Sequence, residues 1–125
     1  MSPTPALPVR RVLVVDDSLD VADAEANLLK SLGQIVQQAN DAESAVRIAR
    51  EFSPDVVFLD LVMPGMDGLE VARQLRAVNP LKVPKIIALT AFRQPAFKDA
   101  ARWAGFDAFL PKPASLEDLS KILAD

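Results

Sequence analysis

Neither histidine nor cysteine occurs anywhere in the 125 residues. Without histidine the chain has no Ser-His-Asp or Cys-His catalysis, no imidazole metal site and no phosphohistidine of its own to donate. Without cysteine it has no disulfides, thiolate zinc sites or thiol nucleophiles, a composition compatible with a reducing cytosol. Positive charge is also short. Against 17 Asp and Glu stand 14 Lys and Arg, a net charge of -3, so no basic field is available to neutralise nucleic-acid phosphates or to hold an anionic membrane. No apolar run approaches the roughly 20 residues of a membrane span, and the opening MSPTPALP lacks the charged and apolar regions of a signal peptide. These absences point to a cytoplasmic protein with no direct nucleic-acid or membrane partner. Its chemistry has to come from carboxylates, hydroxyls, lysines, arginines and the backbone.

Half of the residues are hydrophobic and a quarter are charged, the profile of one soluble globular domain. Pro3, Pro5 and Pro8 mark residues 1–8 as an extended, flexible leader, leaving 9–125 for the domain. From Arg11 on, short apolar runs alternate with segments of helical period, the pattern of a parallel sheet covered by helices on both faces. Strands are expected at Val12 to Val15, Ile35 to Ala39, Val56 to Leu59, Ile86 to Leu89 and Phe106 to Leu110. The first, third and fourth are apolar throughout, as strands buried on both faces are, whereas the second and fifth carry polar residues mid-run and read as edges. The expected fold is therefore α/β: a flavodoxin-like, doubly wound, five-stranded parallel sheet in the order 2-1-3-4-5 with five helices. Helical faces are read from Val21, Ala24, Leu28 and Leu32; from Ala42, Ala45, Val46 and Ala49; from Leu69, Ala72 and Leu75; from Phe97, Ala100, Ala101 and Ala104; and from Leu116, Leu119 and Leu123. Asp41 is the expected N-cap of the second helix, and Ser115 with Asp118 a capping box for the fifth.

Ligands of such sheets bind beyond the carboxyl ends of the strands, where strand order reverses. Just past those ends stand Asp16 and Asp17, Asp60, Thr90 and Lys112. Singly, each has a plain explanation as a cap, a strand end or a solvated lysine. Together on one rim they form a constellation that scattered polar residues would not produce. Two carboxylates about 4 Å apart repel by about 4 kcal/mol at an effective dielectric of about 20, so three in one cleft imply a cation. With oxygen ligands only, Mg²⁺ suits the set. A carboxylate beside Mg²⁺, an ammonium and a hydroxyl is placed to accept a phosphoryl group, because the cations neutralise the transferring oxygens. Asp60, which opens the Pro/Gly-punctuated loop Leu61-Val62-Met63-Pro64-Gly65-Met66-Asp67-Gly68, is the candidate acceptor.

The acidic pair Asp16-Asp17, Asp60 within FLDLVMPGMDG, Thr90 within ALTA, and Lys112-Pro113, in this order and spacing, resemble the response-regulator receiver domain of two-component signalling from about Val9 to Ala124. The resemblance implies that Asp60 takes a phosphoryl group from the phosphohistidine of a histidine kinase or histidine phosphotransfer protein. It implies Mg²⁺ contacts from Asp17, Asp60 and the backbone carbonyl of Val62, with Asp16 acting mainly through water. It also implies that Lys112 pairs with the phosphate, that the Lys112-Pro113 bond is cis, and that Thr90 moves toward the phosphate while Phe109 follows. A downstream target would read the fourth helix, fifth strand and fifth helix, a surface with Arg93, Lys98, Arg102, Trp103 and Lys121. Such a domain is no enzyme beyond its own phosphorylation and dephosphorylation. Pro111 and the Asn40-Asp41 pair, in place of the family's usual Gly after the second strand, are less regular.

Rival readings fit less well. A dehalogenase-type phosphatase resembles Asp-x-Asp, but Val62 holds the second position. A nucleotide binder wants a Gly-rich or hydroxyl-rich loop after the first strand, where Asp16-Asp17-Ser18-Leu19-Asp20 would repel phosphate. A pseudo-receiver, a phosphorylation-independent interaction module, is betrayed by loss of the acceptor, acid pair or lysine, and all are present. The chain leaves no residues for an output domain, so a stand-alone regulator and a receiver within a longer protein both stay open.

Overall fold

Strands without a polar residue must be covered on both sides, and burial in the computed structural model follows that rule. The structure describes residues 7–61, 63, 65, 67–90 and 106–125. Within them β1 (Arg11–Val15), β2 (Ile35–Ala39), β3 (Val56–Asp60), β4 (Lys85–Thr90) and β5 (Ala108–Pro111) pair in parallel as β2-β1-β3-β4-β5. Strand β3 is buried at every residue, and β1 and β4 at all but the first, while β2 and β5 are the half-exposed edges. The described helices are α1 (Leu19–Ser31), α2 (Ala42–Phe52), α3 (Gly68–Ala77) and α4 (Leu116–Ala124). The expected helix through Phe97 and Ala104 lies outside the described residues, as do Arg93, Lys98, Arg102, Trp103, Val62 and most of the expected leader.

Strand periodicity sorts the core into two halves. On one face Leu13, Val15, Val57, Leu59, Ile86 and Ala88 pack under Ala45 and Ala49 of α2 and Val71, Ala72 and Leu75 of α3. On the other Val12, Val14, Val56, Phe58, Ile87 and Leu89 meet Ala22 and Leu29 of α1 and Leu119, Ile122 and Leu123 of α4. Asp41 caps α2 by accepting the Ser44 N–H at 2.7 Å, and Ser115 with Asp118 closes the capping box of α4. The opposite end of the sheet is pinned by Asp55, which accepts the Arg11 N–H at 2.7 Å and pairs with Lys82 at 3.1 Å.

Three expectations are corrected. On α1 the buried residues are Ala22, Glu25, Ala26 and Leu29, not the stripe of Val21, Ala24, Leu28 and Leu32; Ala24 is exposed. The helix turns its small residues to the sheet, which lets it approach closely, and leaves Leu28 and Leu32 at the margin of the core. On α4, Leu116 is exposed, because it directly follows the N-cap Ser115, and the core is filled from Leu119 onward. Finally, β5 starts at Ala108 rather than Phe106. The Asp107 carboxylate accepts the Ile86 N–H at 2.8 Å, and the Asp107 N–H donates to the Ile86 carbonyl at 2.8 Å, so a side chain stands where a strand carbonyl would.

Phe58 is fully buried at the centre of the α1/α4 face. Phe58→Ala is expected to cost about 3–5 kcal/mol in urea unfolding. Leu81→Ala, at a residue 98% exposed, should stay within about 0.5 kcal/mol.

Candidate functional site

The sheet delivers its polar residues to one rim. β1 leads directly into Asp16 and Asp17, β3 ends in Asp60, β4 ends in Thr90, and the chain leaving β5 carries Lys112. Because β1 and β3 are neighbours, the two aspartates leave the sheet side by side. Hydrogen bonds carry the strand pattern one residue past each end: Asp16 N–H donates to the Ala39 carbonyl, Leu61 N–H to Leu89, and Lys112 N–H to Thr90, each at 3.1 Å. Thus the functional residues hang from the rigid edge of the sheet.

Asp16 and Asp60 are almost wholly buried, and Lys112 lies between them. Its Nζ stands 2.9 Å from Asp60 Oδ2, as a hydrogen bond, and 2.9 Å from Asp16 Oδ2, as an ion pair without hydrogen-bond geometry. Asp16 Oδ1 accepts the Ser18 N–H at 2.9 Å, which fixes the turn into α1. Burial alone would push the Lys112 ammonium toward its neutral form, but the contacts with Asp16 and Asp60 outweigh burial and hold its pKa above the usual lysine value. Removing one partner of such a buried arrangement costs about 3–5 kcal/mol in general, because an uncompensated charge stays behind.

Asp17 completes the set from the solvent side. One carboxylate oxygen each from Asp16, Asp17 and Asp60 lies within 4.8 Å of the others, a hard, all-oxygen donor group suited to a divalent cation. A cleft of about 350 Å³ opens beside it, lined by Asp17, Asn40, Asp41, Ala42, Glu43, Met63 and Gly65. The loop after Asp60 is shaped by Gly65, whose φ of 70° favours glycine, and anchored by buried Met63. Gly68 opens α3 against Leu61, where a Cβ would meet Leu61 Cδ2 at 2.9 Å.

The structure brings together Asp16, Asp17, Asp60 and Lys112 and places Thr90, buried, on the adjoining strand end. The Lys112-Pro113 peptide is cis. Phe109 is half-buried on β5, its ring centroid 5.8 Å from that of Phe106. Val62 lies outside the described residues. One residue escaped the sequence reading: Glu25, 4% exposed on the sheet-facing side of α1. Burial foremost, then Asp16 and Asp60, raise its pKa to about 7, with Lys112 opposing. The signal was an acid set among Ala22, Ala26 and Leu29 at helical spacing.

Known proteins resemble this chain in sequence and in fold. Residues 12–124 match the response regulator receiver domain family. Response regulator MprA of Mycolicibacterium vanbaalenii is 42% identical over 113 residues, covering 90% of this chain and 48% of MprA, so the chain spans about half the length of that relative. Among solved structures, chemotaxis protein CheY4 of Vibrio cholerae is similar with a TM-score of 0.85 and 31% identity, covering 93% of this chain and 97% of CheY4. The receiver domain of Saccharomyces cerevisiae Ssk1, solved with the histidine phosphotransfer protein Ypd1, has a TM-score of 0.85 and 27% identity, covering 95% and 89%.

Glu25 generates a prediction about pH. Its folded pKa lies above the ordinary 4.5, so the folded state binds the proton more tightly. The associated stability is fully present below pH 4.5 and is lost as pH rises through about 7. Asp41, lowered by its hydrogen bonds from Ser44, acts in the opposite sense, as does Asp55, where burial is outweighed by bonds from Arg11 and Lys82. Their stabilisation is present above 3.8 and lost as pH falls below it. A tenfold difference in proton affinity between folded and unfolded chain is worth about 1.4 kcal/mol. In metal-free buffer the wild type should therefore lose on the order of 2 kcal/mol between about pH 5 and 8, solvent screening included. Glu25→Gln should flatten that slope in urea titrations across the range.

Proposed function

Since the chain belongs to the response-regulator receiver family of two-component signalling, we propose that Asp60 is its phosphoacceptor, loaded from a partner's phosphohistidine in the presence of Mg²⁺. The observation that carries this reading is the Lys112 ammonium, 2.9 Å from the carboxylates of both Asp16 and Asp60 at the ends of adjacent strands. A lysine so held neutralises the acceptor at rest and is already within reach of the oxygens that a phosphoryl group would bring.

Asp60 attacks phosphorus through a carboxylate oxygen, the new P–O bond forming as the P–N bond to the donor imidazole breaks. The electron pair of that bond leaves with the imidazole. Lys112 passes from the Asp60 oxygen to the phosphoryl oxygens, and Asp16 keeps the ammonium in place meanwhile. Asp16, Asp17 and Asp60 would hold Mg²⁺, with the Val62 carbonyl as a further ligand. Bound there, the ion supplies positive charge against the transferring oxygens. The donor histidine has to lie outside these 125 residues, which contain none; a histidine kinase or a histidine phosphotransfer protein fits, as in the Ypd1 and Ssk1 pair.

Output follows from charge. A phosphoryl group adds roughly -1.5 to -2 units and strong acceptors, favouring whichever conformer offers better donors. Thr90 is the hydroxyl donor on this reading. Its strand end is tied to the chain after β5 by the Lys112 N–H, so a shift at Thr90 is felt at Phe109. The surface read by a target then comprises the expected helix through Phe97 and Ala104, β5 and α4. The protein works as a signalling phosphoacceptor and not as an enzyme on a separate substrate, and a cytoplasmic location suits it. No described helix is long and apolar enough to cross a membrane.

Incubation with a small acyl-phosphate donor and Mg²⁺ should add one phosphate to the intact mass. Asp60→Asn and metal chelation should each abolish the addition, and Lys112→Met should slow it. Undiminished labelling of Asp60→Asn would sink the assignment, and labelling that survives chelation would remove the cation from it.

A further inference from the structure

Glu25 is out of place on the helix that carries it. Its neighbours in the buried stripe of α1, Ala22, Ala26 and Leu29, are apolar and serve the core between α1, the sheet and α4. Glu25 sits among them at 4% exposed, and neither of its oxygens has a hydrogen-bond partner among the described residues. A carboxyl group buried without a partner destabilises the fold, whether it is ionised or neutral. Leucine or alanine would pack there without that cost. No hydrogen bond among the described residues offsets the burial of Glu25.

The groups whose fields reach Glu25 are those of the site: Asp16, Lys112 and Asp60. Lys112 compensates one of the three carboxylates, so Asp16, Asp17, Asp60 and Lys112 together offer an incoming cation two net negative charges, one of them from exposed Asp17. Asp17 and the other acids lining the cleft, Asp41 and Glu43, are exposed, and charges in contact with solvent are strongly screened. A carboxylate inside the core acts through a medium that screens far less.

We propose that Glu25 is a positioning residue of the cation site, a buried fourth acid that strengthens divalent-cation binding at Asp16, Asp17 and Asp60 through its field without being a ligand. The inference deepens the phosphoacceptor reading and rests on the cation being part of it. It accounts for a residue that the packing of α1 does not explain. It also separates two properties that ordinarily move together, because relieving the buried acid improves the fold while it weakens the site.

The test is calorimetric titration of the full chain with MgCl₂ alone at pH 8, alongside thermal unfolding in chelator. Glu25→Gln keeps the shape and removes the charge; Glu25→Leu removes the polar group as well. Both should weaken Mg²⁺ binding by roughly three- to tenfold, and Glu25→Leu should melt higher than the wild type without metal. Asp16→Asn, a direct change to the site, should reduce binding far more. Affinities of both Glu25 variants within about twofold of wild type, with Asp16→Asn still defective, would overturn the role of Glu25 and leave the cation-dependent reading standing. A wild type that takes up no Mg²⁺ would overturn both.

Discussion

The Lys112 ammonium shared between Asp16 and Asp60 is the interaction on which the rim of this protein depends. Two carboxylates buried at the ends of adjacent strands repel each other through a poorly screened medium, and neither has bulk water to spread its charge. Only a cation between them makes their burial tolerable. The fold meets that need from a distance: Lys112 comes from beyond β5, at the far edge of the sheet, and crosses over β4 to reach β3 and β1. Its path is held by its own backbone N–H on the Thr90 carbonyl. Strand order, the loop after β5 and the protonation of Lys112 are therefore parts of one arrangement.

Beneath this rim the sheet is packed on both faces. β1, β3 and β4 alternate their side chains between two apolar layers, each roofed by a pair of described helices. A floor of this kind is close-packed and yields little to local change. The site residues stand at the last position of β3 and β4, in the first two positions past β1 and in the first past β5, where backbone bonds from Asp16, Leu61 and Lys112 still extend the ladder.

Most of the fold was legible because its strongest signals are redundant. A strand such as Val56-Val57-Phe58-Leu59 can hardly be placed anywhere except the middle of a sheet, and three such strands, joined by right-handed crossovers, point to the observed order of five. The acids and the lysine were legible because strand ends bring them to one rim by topology alone. Legibility failed where a polar side chain stood in for something apolar or for backbone. Asp107 supplies an oxygen to Ile86 in place of a strand carbonyl, so the alternation of Phe106, Ala108 and Leu110 overstated the length of β5. Pro111, an irregularity in the sequence, closes β5 opposite Thr90 because an edge strand can spare an outward N–H. Glu25 interrupts the true stripe of α1, so unbroken apolar spacing points to Val21, Ala24, Leu28 and Leu32 instead.

That last failure has a physical source. Reading a helix by its apolar period assumes that every buried position is selected for packing, and the assumption holds only where local choice and global fold agree. Near a charged site they conflict: the field there depends on groups several residues deep, and a position in the core can serve the field at the expense of packing. The conflict is visible on α1 as a carboxyl with no hydrogen-bond partner among the described residues, beside alanines that fit closely. It is also confined. Ala22, Ala26 and Leu29 keep the helix on the sheet, so one discordant residue changes the electrostatics behind Asp16 without changing where Asp16 stands. A rigid apolar frame is what allows charge to be adjusted independently of position.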